Sequence, residues 1–143
     1  MRILAVDLGE KRVGLSISDP LGITAQGLPT HLRAGNEKDF AHLRALCESR
    51  KVAKCVVGLP LRMDGQAGPQ AIGVIAWVEE LRKRIPCEVE TWDERLTTKE
   101  ATRLMIQQGL SRKKQKEKSD ELAAILILQS YLDAGSGGAG AAR

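Results

Sequence analysis

The chain opens on a nearly unbroken apolar run, Ile3-Leu4-Ala5-Val6, that ends in Asp7. A short run without alternation predicts a strand over Arg2–Asp7 that is buried on both faces. Leu8-Gly9-Glu10-Lys11 makes a short turn. Arg12–Ser18 then alternates, with Val13, Leu15 and Ile17 set against Gly14, Ser16 and Ser18. A period of two marks a strand with one polar or close-packed face. Asp19-Pro20-Leu21-Gly22 carries strong turn chemistry, and Ile23–Leu28 predicts a third strand that stops before Pro29. The three segments predict an antiparallel meander.

Beyond residue 35 the period changes. Asn36 is placed to cap a helix with Phe40, Leu43, Leu46 and Cys47 on one face. Ala53–Leu59 predicts a buried strand and Pro60–Gly68 a loop, after which Pro69 stands where a first helical residue belongs. Ile72, Ile75, Ala76 and Leu81 are the expected inward stripe of that helix, which stops before Pro86. Glu88–Trp92 predicts another strand. Thr97 and Glu100 form a capping box for a helix through Gln108, with Gly109 as its stop. A basic loop over Arg112–Lys118 should then lead to Ser119, the cap of a last helix with Leu122, Ile125, Leu126 and Leu132 inward. Residues 134–143, small and glycine-rich, predict a disordered tail, which leaves one domain over residues 1–133. The order β-β-β-α-β-α-β-α-α implies an α/β fold, a mixed five-stranded sheet covered by helices, and it matches the ribonuclease H-like fold.

At 143 residues the chain is sized for a single domain whose core needs neither disulfides nor a structural metal. A net charge of +4 permits a polyanionic partner without requiring one. Aromatics make up only 3%, which argues against reading single strands by base stacking. Cys47, Cys55 and Cys87 form no C-x-x-C pair, and their apolar neighbours predict buried, reduced thiols. His31 and His42 lack the spacing of zinc ligands. Without a membrane-length apolar run or a signal-peptide core, a cytoplasmic location is expected.

Three acidic positions stand out. Asp7 ends the first strand, Asp93 and Glu94 follow the last one, and Asp120 and Glu121 open the final predicted helix. In open α/β sheets, strand ends and the adjoining helices converge on one crevice. Carboxylates meeting there could hold Mg2+ or Mn2+, hard ions that take oxygen ligands. Two such ions clamp the attacking and leaving oxygens of phosphodiester cleavage, which needs acids and no histidine. Each acid also has a plainer reading. Asp120 and Glu121 suit a helix N-terminus electrostatically, and Glu94 could simply pair with Arg95 in a surface turn. Asp7 is harder to dismiss, because an acid ending a doubly buried strand is costly unless paired or metal-bound. Adjacent residues at a strand end point to opposite faces, so at most one of Asp93 and Glu94 aims into the crevice.

Lys11, Arg12 and Arg95 are candidate phosphate contacts, as are Arg112, Lys113, Lys114, Lys116 and Lys118. A solvated face is the plain alternative for the run, and neutralisation of Glu94 the alternative for Arg95. Gly9 could supply a positive φ to a tight turn or let backbone and water approach closely. The Pro60–Gly68 loop could clamp substrate or move as a lid.

Several blocks occur in the order characteristic of one family: Val6-Asp7-Leu8-Gly9, Arg12-Val13-Gly14, Ser18-Asp19-Pro20, Val57-Gly58-Leu59-Pro60 and Met63-Asp64-Gly65. Asp93-Glu94-Arg95-Leu96-Thr97-Thr98 follows, and then Lys118-Ser119-Asp120 leading to Ala123-Ala124. In these the chain resembles the bacterial YqgF family, also called RuvX, from residue 1 to about 133. The resemblance implies a ribonuclease H-like nuclease, of a kind assigned to Holliday junctions or to pre-16S rRNA. It implies Asp7 as the first catalytic acid, the Asp93–Glu94 pair as the second, with Glu94 slightly preferred, and Asp120 as the third. Asp7, Glu94 and Asp120 would then hold Mg2+ or Mn2+, and the partner would be structured RNA or branched DNA, with no membrane involved. A symmetric junction needs two sites and hence a homodimer, whereas trimming an RNA end suits a monomer.

Two readings compete with this one. Asp7-x-Gly9 also resembles the first phosphate loop of actin-like ATPases and sugar kinases, but those enzymes close two such domains around a nucleotide, and no P-loop is present. A non-catalytic nucleic-acid or transcription-complex binding module would use the basic run and none of the acids. Metal-dependent cleavage separates the two.

Overall fold

The computed structural model describes residues 2–96 and 112–134, with the backbone alone described for Leu96 and for residues 112–120. The meander is β1 (Arg2–Leu8), β2 (Arg12–Ser18) and β3 (Ala25–Leu32). There follow α1 (Asn36–Ser49), β4 (Val52–Leu59), α2 (Pro69–Arg82), β5 (Glu88–Asp93), a 3-10 turn (Glu94–Leu96) and α3 (Arg112–Asp133). The helix expected from Thr97 to Gln108 lies outside the described residues, as does the tail beyond Ala134. No helix among the described residues is long and apolar enough to cross a membrane.

The five strands lie in the order β3-β2-β1-β4-β5, antiparallel through β3, β2 and β1 and parallel from β1 to β4 to β5. This is the mixed sheet that the element order implies. Strand alternation divides its side chains between two cores. Leu4 and Val6 of β1, Val13, Leu15 and Ile17 of β2, and Cys55 and Val57 of β4 pack under α1 and α2. Ile3, Ala5, Val56 and Trp92 face the opposite way, onto Ile127 and Leu128 of α3. On that second face, past Arg12 at its exposed start, β2 offers Gly14, Ser16 and Ser18, so α3 can come close. The Ser16 hydroxyl donates to the Ala124 carbonyl at 2.7 Å, and Ser18 Oγ accepts the Ile3 amide at 2.8 Å.

Four expectations change. The third strand begins at Ala25 and runs through Pro29. It is the edge strand, where a missing N–H need not cost a ladder bond. Asn36 does not cap α1. Gly35, at φ 101°, holds the capping position, and Asn36 Oδ1 accepts from Arg33 Nη2 instead. In α2 the inward stripe is Ala71, Val74, Trp77, Val78 and Leu81, leaving Ile72 58% and Ile75 41% exposed. Two apolar stripes compete on that helix, and the one carrying Trp77 buries more surface. Finally, α3 starts at Arg112, so the basic run is helical and Ser119 is not its cap. Arg, Lys, Gln and Glu are good helix formers, and nothing in the run breaks the turn.

The joint between β3 and α1 rests on Asp39, whose side chain is fully buried. Its Oδ1 accepts from His31 Nε2 at 2.9 Å and from the Ala34 amide at 3.0 Å, and its Oδ2 from Arg33 Nε at 3.1 Å. Burial by itself would raise this carboxyl, but the donors outweigh it and hold Asp39 below the usual aspartate range. Such a group stabilises the fold fully above its unfolded value, near 3.8, and the contribution is lost as pH falls through the lower folded value. Replacing Asp39 by Ala should cost about 2–4 kcal/mol at neutral pH, since Arg33 loses a buried partner. Urea titrations of wild type and Asp39→Asn from pH 7 downward should show the stability gap constant at first, then closing below the ordinary aspartate value. A gap independent of pH would mean that the carboxylate's charge contributes nothing.

Candidate functional site

The odd residues of β1 face α3, so alternation carries Asp7 to that side, beyond Ile3 and Ala5. Its neighbours across the sheet are both glycines. Gly14 is its register partner on β2, and Gly58 lies one step past the Val6–Val57 pair on β4. A Cβ on Gly58 would meet Ile127 Cδ1 at 2.6 Å and the Cγ and Cδ of Glu94 at 3.2 Å. The space a side chain would fill is therefore used by the carboxylate arm of Glu94 and the tip of Ile127. Asp7, near the end of β1, and Glu94, just past the end of β5, thus lie at one end of the sheet on its α3 face, and Gly58 between them leaves the room that the Glu94 arm and Ile127 use.

Asp93 does something different. It is the last residue of β5, and alternation puts it on the face of Val89, opposite Trp92. The Arg95 side chain donates to both its oxygens, from Nε at 3.0 Å and from Nη2 at 2.6 Å. The guanidinium holds the Asp93 carboxyl below the usual aspartate range. Arg95 thus pairs with Asp93 and not with Glu94, as the plainer sequence reading had it. Its Nη1 also donates to the Met63 carbonyl at 3.4 Å. The Pro60–Gly68 loop is closed internally by Gly65 N–H to Arg62 O at 2.8 Å and Arg62 N–H to Gln66 O at 2.9 Å, with Gly65 at φ 85°. Arg95 therefore straps this loop to the turn that carries Glu94.

The remaining candidates fall around this centre unevenly. Lys11 and Arg12 are exposed at the β1–β2 turn, at the same sheet end as Asp7. Gly9 in that turn does not take positive φ. It is required by crowding, because its Cβ would stand 2.8 Å from the Arg12 carbonyl oxygen. Glu121 lies against Gly27 of β3, two strands away from β1. Asp120 is inside α3, one turn before Ala124 and two before Ile127, so the helix-start reading of this acid falls away. Its side chain, like those of Arg112, Lys113, Lys114, Lys116 and Lys118, lies outside the described residues. Among the described residues no three His, Cys, Asp or Glu side chains group as a metal cage. Among the described residues, Asp7 and Glu94 are the two carboxylates at this end of the α3 face, and carboxylate oxygens are the donor type that suits Mg2+ or Mn2+.

A family model described as RuvX: Holliday junction resolvase matches residues 1–134. The chain belongs to the RuvX family. RuvX is a nuclease family. Two of its relatives bear the name "Putative pre-16S rRNA nuclease". The one from Syntrophomonas wolfei is 47% identical over 136 residues, covering 95% of this chain and 96% of its own. The one from Halalkalibacterium halodurans is 47% identical over 135 residues, covering 93% and 96%. Among solved structures, RuvC of Thermus thermophilus in complex with Holliday junction substrate superposes at a TM-score of 0.63, with 16% identity over 99% of both chains. Fowlpox virus resolvase with Holliday junction DNA gives 0.53, with 15% identity over 94% of this chain and 98% of its own. This RuvX chain therefore has the ribonuclease H-like fold.

Gly58 yields a test within the RuvX chain. Gly58→Ala should lower stability by about 1 kcal/mol through overpacking against Ile127 and should displace Glu94. Gly27→Ala, on the same face, would press on the Glu121 side chain instead. If Glu94 matters to cleavage, the first variant loses activity well beyond its loss of melting temperature, and the second keeps wild-type turnover.

Proposed function

We propose that this RuvX chain is a divalent-metal-dependent nuclease that hydrolyses phosphodiester bonds in structured RNA, with the precursor of 16S rRNA as its substrate. The observation that carries the reading is the placement of Asp7 and Glu94 at one end of the sheet on its α3 face, on either side of Gly58. The name of the curated relatives supports an RNA substrate. The family description supports a second reading, cleavage of four-way DNA junctions. Trimming an RNA end needs one site and suits a monomer, whereas a symmetric junction needs two and hence a homodimer. Either substrate places the enzyme in the cytoplasm.

In this proposal Asp7, Glu94 and Asp120 hold Mg2+ or Mn2+. Such ions, when bound, stabilise charge on the phosphodiester oxygens and make water a better nucleophile at neutral pH. Asp7 and Glu94 supply anionic oxygens from two strands, and Asp120 supplies a third from α3. Asp93 is a positioning residue, orienting Arg95 and through it the Pro60–Gly68 loop beside the substrate path. Lys11 and Arg12 meet backbone phosphates at the β1–β2 turn, and Arg95 lies beside the scissile region. Arg112, Lys113, Lys114, Lys116 and Lys118 form a basic first segment of α3 that tracks the strand.

Asp7→Asn, Glu94→Gln and Asp120→Asn should each reduce cleavage of labelled precursor rRNA in Mg2+ or Mn2+ by at least about 100-fold, the scale on which removing a transition-state partner registers. Asp120→Asn should also leave the metal-free protein as stable as wild type or more so, because it relieves repulsion between carboxylates. Asp93→Asn should lower the melting temperature and retain measurable turnover. Running four-way junction DNA in parallel separates the two substrates, and full activity in both the Asp7 and the Glu94 variants would remove the site.

The basic segment is tested through salt. Replacing Lys113, Lys114 and Lys116 by Ala should weaken binding across sequences and flatten the dependence of log K on log salt by roughly 0.7–0.9 for each phosphate that is no longer neutralised. An unchanged slope would make this stretch a solvated helix face.

A further inference from the structure

Three thiols lie far from the proposed chemistry, on the face of the sheet under α1 and α2. Cys47 is buried in the last turns of α1, Cys55 is buried on β4, and Cys87 is half-buried in the residue preceding β5. All three are free, as expected, although Cys87 is not enclosed. Cys47 Sγ and Cys87 Sγ stand 3.3 Å apart, in direct contact. At that distance a covalent bond needs an approach of little more than about 1 Å, since a disulfide measures about 2.05 Å. Cys87 sits at the start of β5, whereas Asp93 and the turn bearing Glu94 are at its other end.

We propose that Cys47 and Cys87 form a thiol–disulfide exchange site that takes a low-molecular-weight disulfide, such as glutathione disulfide, as its oxidant. Cys87 is the entry thiol because it is half-buried where Cys47 is buried. Its thiolate attacks one sulfur of the oxidant, the oxidant's S–S bond breaks, and one thiolate leaves with the electron pair. Cys47 Sγ then attacks Cys87 Sγ, the second small thiolate leaves with the electron pair, and it takes up the Cys47 proton. The protein loses two hydrogens and the oxidant becomes two thiols, so the exchange balances as a two-electron oxidation. The hydrogen bond between the two sulfurs suits this division of roles. It holds the Cys87 thiol below its ordinary range against the effect of burial, and it pushes the Cys47 thiol up. A more accessible sulfur poised next to a resolving sulfur is the arrangement typical of redox-sensitive cysteines. Burial pushes Cys55 up as well, and it has no sulfur partner at hydrogen-bond distance among the described residues.

The bond would tie the end of α1 to the start of β5 across a separation of 40 residues. A loop of that length restricts the unfolded chain, so oxidation should raise the melting temperature. The test is to incubate the full-length reduced protein with glutathione disulfide, quench with an alkylating agent, and read intact mass and cross-linked peptides. Wild type should lose two hydrogens with Cys47 linked to Cys87, melt several degrees higher, and revert with dithiothreitol. Cys47→Ser should stop with one glutathione on Cys87. Cys87→Ser should take up none over the same time, because the two remaining thiols are buried. Wild-type protein that stays reduced, retains a glutathione adduct, or links Cys55 would overturn the proposal. The wild-type result decides the matter even if a serine variant folds poorly, and it does not depend on nucleic-acid cleavage.

Discussion

The close approach of α3 to the sheet is the constraint on which the rest depends. A helix sits at bonding distance from a strand only where that strand offers little side chain. Here β2 presents Gly14, Ser16 and Ser18 to α3, and β4 presents Gly58. The Ser16 hydroxyl reaches the Ala124 carbonyl, and Ile127 fills the space over Gly58. The same thinning of side chains gives the Glu94 arm its place over Gly58. Packing and chemistry thus draw on one set of small residues. A larger residue at Gly58 would disturb the helix and the acid together.

Much of this was legible in the chain. The alternation in Arg12–Ser18 already marks one face of β2 as small and polar, and the unbroken apolar runs of β1 and β4 mark strands covered on both sides. The element order was enough for the mixed sheet. Boundaries and phases were less legible, because they depend on competition between neighbours. Ile72 and Ile75 have the right character for a core, but Val74, Trp77 and Val78 offer a bulkier stripe on the same helix. Ser119 is a good capping residue, yet the lysine-rich stretch before it is itself helical. Pro29 looks like a stop until the strand is seen to be at the sheet's rim.

The site shows the same limit. Parity along a strand separates Asp93 from Glu94 only once the strand's last residue is known, and that residue is Asp93. Which acid Arg95 takes cannot be read from adjacency, since both neighbour it on one side. The geometry gives Arg95 to Asp93 and leaves Glu94 over Gly58. Glycines inside strands were the available signal for this close packing, because they weaken a strand and need another reason to be there.

Pro29 carries one more consequence. The rim of a sheet is a row of unspent backbone groups, and a passing chain can extend it rung by rung into an aggregate. Pro29 removes an amide from the middle of β3, and a proline within an edge strand hinders pairing with a further strand. A zipper that starts along this rim meets a missing tooth. The residue that looks like a flaw in the strand lets an eight-residue edge remain the end of the sheet in a crowded solution.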